Sequence, residues 1–122
     1  MKIEQTLKLV AVQKPARTNP VVHRREKVLS AINRQMELVK KYQNGEVARG
    51  LWLWTDESGT TFLPIKYGKT PLELSKGKFA IECSSIEEVE DSLESVKTLI
   101  RKGALDEVLK TTSETLRAKF LK

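Results

Sequence analysis

The segment from Val47 to Tyr67, VARGLWLWTDESGTTFLPIKY, restricts the fold more than any other stretch because it places two β-rich runs around one tight turn. Gly59 can supply the positive φ that a three-residue loop over Glu57–Gly59 requires. The sequence therefore predicts a hairpin in which Asp56 pairs with Thr60.

This register separates the hairpin side chains into two chemically different faces. On one face Trp54 lies opposite Phe62 and Trp52 lies opposite Pro64, and Lys66 continues that face. The other face is aliphatic and comprises Leu51, Leu53, Leu63 and Ile65. A shift of one residue would mix the two sets, so their segregation supports the predicted pairing.

Two further short strands are predicted after the hairpin. Gly68-Lys69 forms a turn before a strand at Leu72–Leu74. Ser75–Gly77 forms another turn before a strand that ends at Cys83, whose side chain is expected to face inward. The expected sheet is a four-stranded antiparallel meander.

Helical periodicity appears on both sides of this meander. An N-terminal basic amphipathic helix is predicted from Pro20 to about Gln43, because Asn19 suits the N-cap and proline suits the first helical position. Asn44-Gly45 would end it. The stripe that faces the core comprises Val28, Leu29, Ile32, Met36 and Val39.

Two C-terminal helices complete the chain. Ser85 and Glu88 form a capping box before the first, which should stop at Gly103, and the second runs from about Ala104 to Leu121.

The fold class predicted from these elements is α+β, in a single domain over 1–122. Lys2–Val12 alternates polar and apolar residues, which indicates a strand or a strand-like arm. The expected organisation is an N-terminal arm and linker at 1–19, the basic helix at 20–45, the β-meander at 47–83 and the helical pair at 85–121.

Positive charge is concentrated in the first 50 residues, which carry 11 Lys and Arg against 4 Asp and Glu in a chain of formal charge +6. On the basic helix, Lys27, Arg34 and Lys41 recur every seven residues and fall nearly opposite the apolar stripe, with His23 beside them. This asymmetry favours a polyanionic partner, although a solvated outer face explains the same pattern.

Several kinds of chemistry are excluded by spacing. Gly68-Lys69-Thr70 is not a phosphate-binding loop, because such a loop needs glycine at position 63, where Leu63 stands. Cys83 and His23 are too few ligands for a structural zinc site. The acidic cluster Glu87–Glu94 is explained by helix capping and solvation. We therefore predict no catalytic residues, no metal, no cofactor, no small-molecule substrate and no enzymatic activity.

The cellular compartment follows from the cysteine count and from hydropathy. A single cysteine cannot form an intrachain disulfide, which suits a reducing cytoplasm. The sequence lacks both a signal-peptide h-region and an apolar run of about 18 residues, so we expect a cytoplasmic protein that does not bind a membrane.

Non-enzymatic nucleic-acid binding is the leading functional hypothesis, with single strands as one form of the ligand and no strand preference indicated by the sequence. Basic residues would contact phosphates, and the two tryptophans would stack on bases. The predicted site comprises Lys14, Arg17, Arg24, Lys27, Arg34, Lys41, Trp52, Trp54, Lys66, Lys69, Lys76 and Lys78. The alternative is a protein-interaction module or a homo-oligomeric structural protein, with a homodimer as one such assembly. Helices could also cover the aromatic face, and the tryptophans would then be core residues.

Two resemblances bear on this hypothesis. NPVVHRREKVLSAINRQMELV followed by YGKTPLELSKGKFAIECSSIEEVEDSLESVKTLIRKGALDEVL is similar to a family of small uncharacterised bacterial proteins, a domain of unknown function, marked by N-P-x-x-x-R-R-x-K and Y-G-x-x-x-L-E-L-x-K-G-K-x-A-I-E. That resemblance covers most of the chain and implies no activity. The order of strands, Gly-Lys turn and helix also resembles single-stranded-DNA-binding domains of the coactivator and Whirly type, which dimerise through that helix, although the long basic helix is extra.

Overall fold

The computed structural model describes residues 7–12 and 19–120, apart from the side chain of Phe120. Within these ranges the chain forms helices and short strands, which confirms the α+β class. The helices are α1 (Pro20–Gln43), α2 (Ile86–Arg101) and α3 (Asp106–Phe120). The strands are β1 (Trp54–Thr55), β2 (Thr61–Leu63), β3 (Lys66–Tyr67), β4 (Thr70–Pro71) and β5 (Ile81–Cys83).

The predicted four-stranded meander is wrong, because the strands form two small antiparallel sheets. β2 lies between β1 and β5 in one sheet, and β3 pairs with β4 in the other. Pro64 gives the physical reason: it has no N–H to continue the ladder beyond Leu63, so the chain leaves the sheet there. Leu72 then donates its backbone N–H to Ile65 O at 2.7 Å and is fully buried, and no strand forms over Leu72–Leu74.

The first hairpin has the predicted register. Trp54 pairs with Phe62, and Asp56 N donates to Thr60 O at 3.0 Å. The Asp56 carboxylate accepts hydrogen bonds from Ser58 Oγ at 2.7 Å and from Thr60 N at 3.0 Å. These donors, Ser58 Oγ first, lower the pKa of Asp56. The loop is therefore held by its own side chains as well as by the strands.

Both predicted helix caps are present. Asn19 accepts from Val21 N at 2.9 Å, and Ser85 Oγ accepts from Glu88 N at 3.2 Å. The Glu88 carboxylate turns to Ser84 instead of Ser85, accepting from its N at 2.7 Å and its Oγ at 2.8 Å. The second half of the capping box is thus displaced by one residue.

One hydrophobic core joins all three helices to the strands. α1 contacts α2 and α3, and α2 covers β5. The sheet face that carries Leu63 and Cys83 is turned inward, since both side chains are buried. The largest fully buried side chains are Ile32, Leu63, Ile65, Leu72, Leu93, Ile100 and Leu109.

The predicted N-terminal strand is not observed at residues 7–12, which are the residues of that segment that the structure describes. Residues 7–12 are exposed and irregular, and the preceding residues of the predicted arm lie outside the described ranges. No helix among the described residues is long and apolar enough to cross a membrane.

Candidate nucleic-acid interface

The cationic row of α1, defined as Lys27, Arg34 and Lys41, is exposed along its length. It does not lie opposite the buried face as the sequence predicted. Gln35 and Leu38 are also buried on α1, so the buried face extends around the helix towards the row. The row therefore borders the core, where neighbouring elements can add side chains to it.

The β3–β4 hairpin contacts one end of this row. Lys27 Nζ lies 4.4 Å from the centroid of the Tyr67 ring, and Tyr67 is 6% exposed. A cation over an aromatic face at this distance is attracted by the ring quadrupole. The contact brings the backbone of the β3–β4 hairpin to the start of the row, and this hairpin carries Lys66, which is half-buried, and Lys69, which is exposed.

Few cations on this surface are neutralised by acidic neighbours. Across the described parts of the chain, the salt bridges are Arg25 with Asp106 and Lys97 with Glu94. Neither uses a residue of the predicted site. The charge of the cationic row and of the hairpin lysines is therefore available to an anionic ligand.

The predicted lysines Lys76 and Lys78 lie on another part of the surface. Both are exposed in the turn closed by the Ser75–Lys78 bridge. The chain next to this turn faces α3, because Phe79 shares a shallow cavity of about 240 Å³ with Lys119. The turn that carries these two lysines therefore adjoins a segment that faces α3, and no described contact joins either lysine to the cationic row. Lys14 and Arg17 lie outside the described residues.

The two tryptophans have opposite environments. Trp52 is 9% exposed, and its backbone N–H donates to Gln35 Oε1 at 2.8 Å. The indole of Trp52 is thus part of the core, which argues against the predicted stacking role. The strict alternation of the first run fails because β1 begins only at Trp54, so that Trp52 and Leu53 are both buried.

Of the two tryptophans, Trp54 is the one that remains available to a base. It is 53% exposed, and its ring lies 4.7 Å from that of Phe62 with an interplanar angle of 32°. Phe62 pairs in turn with the exposed Glu82. A strand stacked on Trp54 would therefore have to direct its phosphates away from that carboxylate.

A cavity of about 310 Å³ lies where the start of α1, β3 and the C-terminal half of α3 meet. We call it the junction cavity, and its lining comprises Pro20, His23, Arg24, Tyr67, Ser113, Glu114 and Arg117. It brings the predicted Arg24 together with Arg117, which sequence reasoning missed. No local signal identifies Arg117, because it is one cation among several on an amphipathic helix.

Gln35 is the second residue that sequence reasoning missed. It is 4% exposed, the only buried polar residue within the described ranges, and its Nε2 donates to Gly50 O at 2.9 Å. Together with the Trp52 bond, this amide fixes the chain before β1 onto α1. A glutamine amid apolar positions of a helix is a signal that could have been noticed.

Two observations concern metal ligands and the single cysteine in the described parts of the chain. No cluster of three or more His, Cys, Asp or Glu side chains there could hold a metal ion. Cys83 is fully buried, and desolvation raises the pKa of its thiol, which disfavours the nucleophilic thiolate.

Comparison of the chain with models of known protein families, with curated proteins and with solved structures finds no match. Both resemblances noted in the sequence remain expectations.

Proposed function

We propose that this protein binds nucleic acid without catalysing a reaction, and that single strands are its ligands. The contact surface consists of the cationic row of α1 and the hairpin lysines Lys66 and Lys69. The observation that carries the proposal is the packing of Lys27 against Tyr67, which brings the hairpin that carries Lys66 and Lys69 against the start of the cationic row.

Electrostatics favour a phosphate backbone as the ligand of this surface. Lys and Arg side chains release condensed counterions when they neutralise phosphates, and this term supplies most non-specific affinity. The cations of the row lie about 10 Å apart along α1, since they are seven residues apart and a helix rises about 1.5 Å per residue. An extended strand can follow such a row, whereas a compact anion would reach only one member of it.

The exposed indole of Trp54 supports single strands over duplexes. Stacking of a base on an aromatic ring requires an unpaired base, and such stacks contribute about 1–3 kcal/mol each. We therefore remove Trp52 from the proposed site and retain Trp54, supported from behind by Phe62.

The proposal is tested by fluorescence anisotropy of labelled single-stranded and duplex oligonucleotides over a salt series. Arg34→Gln and Lys41→Gln should each weaken binding and lower the log–log salt slope by roughly 0.7 for single strands. Arg101→Gln is the matched control, because it removes an exposed cation of α2 and should leave the slope unchanged. If the wild type shows no binding at about 10 μM protein and low salt, the proposal is wrong.

Tryptophan fluorescence tests the stacking contact separately. Because Trp52 is buried, quenching by a bound strand should come from Trp54 and should disappear in Trp54→Leu. Binding that leaves the wild-type tryptophan emission unchanged would retain the cationic surface and remove Trp54 from it.

The competing hypothesis, a protein-interaction module or homodimer, is favoured by the same exposed Trp54–Phe62 pair. An interface formed by these rings would associate independently of salt. Sedimentation velocity distinguishes the two hypotheses: concentration-dependent dimerisation that Trp54→Glu abolishes, without oligonucleotide binding, would support the dimer.

A further inference from the structure

The junction cavity gathers positive charge from separate helices. Arg24 comes from the second turn of α1, and Arg117 comes from the C-terminal half of α3. Glu114 is the single carboxylate in the lining. Two guanidinium groups that line one cavity of about 310 Å³ repel each other, and an anion between them would relieve this repulsion.

Arg24 takes no part in the ion pair that its neighbour forms with Asp106. Its neighbour Arg25 binds both carboxylate oxygens of Asp106, with Nε to Oδ1 at 2.8 Å and Nη2 to Oδ2 at 2.5 Å. Arg24 lies near enough to lower the pKa of the same carboxyl slightly, after the larger effect of Arg25. Among the described residues, neither Arg24 nor Arg117 takes part in a salt bridge.

The rest of the lining supplies further hydrogen-bond donors, and the start of α1 supplies a favourable dipole. Tyr67 and Ser113 carry hydroxyl groups and His23 carries an imidazole, all of which can donate to a phosphate oxygen. The first turn of α1 contains no acidic residue that would offset the positive end of the helix dipole. The arrangement combines two guanidiniums with three further donors around one concave space.

The charge of this cavity matches a terminal phosphate better than an internal one. A phosphomonoester carries about −1.5 to −2 at pH 7 and has three free oxygens, whereas an internal phosphodiester carries a single charge. Arginine pairs bind such oxygens through charge-assisted, often bidentate, hydrogen bonds. The cavity volume is at the lower end of the ~300–1,000 Å³ typical of ligand sites, which suits a phosphate and its attached sugar.

We infer that the junction cavity binds the terminal phosphomonoester of a strand whose backbone lies on the cationic row. This inference rests on the proposed function, because it defines which end of that strand the protein recognises. Lys27 contacts the Tyr67 ring and thus connects the cavity directly with the row.

The test compares oligonucleotides of one sequence that carry a 5′-phosphate, a 3′-phosphate or hydroxyl groups at both ends. One of the phosphorylated strands should bind roughly tenfold tighter than the hydroxyl-ended strand, and which one does so distinguishes the two sources of the phosphate. Arg117→Gln should reduce this advantage to about twofold or less. Lys119→Gln, which removes an exposed cation of the same helix outside the cavity lining, should preserve it.

Equal affinity of all three strands for the wild type would overturn the inference while leaving the proposed function intact. A phosphate advantage that survives in Arg117→Gln would overturn it too, because the phosphate would then bind elsewhere. Glu114→Gln provides a change in the opposite direction, since loss of the only lining carboxylate should increase the advantage.

Titration with inorganic phosphate, followed by amide shifts in nuclear magnetic resonance spectra, tests the cavity without a strand. Saturable shifts at His23 and Ser113 that are absent in Arg117→Gln would support a phosphate site in the cavity even if no oligonucleotide binds. In that case the strand as ligand fails together with the proposed function, and the phosphate site stands. Absence of such shifts in the wild type, or their persistence in Arg117→Gln, would overturn the inference.

Discussion

Gln35 provides the sharpest test of the packing that joins α1, which carries the cationic row, to the strand that carries Trp54. Its amide connects α1 to the chain that leads into β1, through bonds to Gly50 O and Trp52 N. Gln35→Leu removes both bonds while keeping a side chain of similar size. The variant therefore isolates the loss of hydrogen bonding from the loss of volume.

The expected cost depends on what each backbone partner does afterwards. Trp52 N is buried, so it would lose its acceptor and pay a desolvation penalty of about 1–3 kcal/mol. Gly50 is exposed, so its carbonyl can turn to water at little cost. We expect a loss of about 2 kcal/mol in the free energy of unfolding, or roughly 6–10 °C in Tm for a domain of this size.

Urea denaturation followed by far-ultraviolet circular dichroism measures this loss. Gln43→Leu is the matched control, because the Gln43 amide also forms a long-range bond, to Glu90 Oε1 at 2.7 Å, but is exposed. That control should change stability by less than about 0.5 kcal/mol. If Gln35→Leu were no more destabilising than Gln43→Leu, the buried amide would not be what fixes β1 to α1.

Three further predictions follow from the caps, the ion pair and the buried thiol. Ser85→Ala should destabilise the protein by about 1 kcal/mol in thermal or urea unfolding, whereas Ser95→Ala, in the middle of the same helix, should be nearly neutral. Arg25 lowers the pKa of Asp106 below its ordinary 3.8, so this carboxylate stabilises the fold above about pH 4, and the stabilisation is lost as the pH falls through the lowered value. The difference in stability between wild type and Asp106→Asn should accordingly be constant above about pH 5 and shrink below pH 3, and a difference independent of pH would contradict it. Cys83 should react with a thiol reagent at pH 8 at least about tenfold more slowly in the native protein than in urea, because its thiol is buried and its pKa is raised.

Features set by neighbouring residues were predictable from the sequence. The start of α1 at Pro20, the Trp54–Phe62 register and the cap at Ser85 all depend on residues within a few positions of one another. Hydrophobic periodicity and turn chemistry report such short-range determinants directly.

Features set by contacts between distant segments were not predictable. The burial of Trp52 depends on Gln35 of α1, and the role of Arg117 depends on how α3 packs beside the start of α1. From the sequence alone, Trp52 fits an aromatic platform and Arg117 fits an exposed surface. Only the packing of the helices decides which of them face the core and which face a cavity.

The failure of the predicted meander explains how the site is formed. If the strands had continued beyond Leu63, Lys66 would have remained in the sheet beside the aromatic face. Because Pro64 ends the ladder, β3 and β4 form a separate hairpin, and its Tyr67 packs against Lys27 of α1. The same displacement makes Tyr67 part of the lining of the junction cavity, together with an arginine from each of two helices. One proline that cannot donate a hydrogen bond thus accounts for the departure from the meander and, through it, for the contact between the β3–β4 hairpin and the cationic row on which the proposed binding depends.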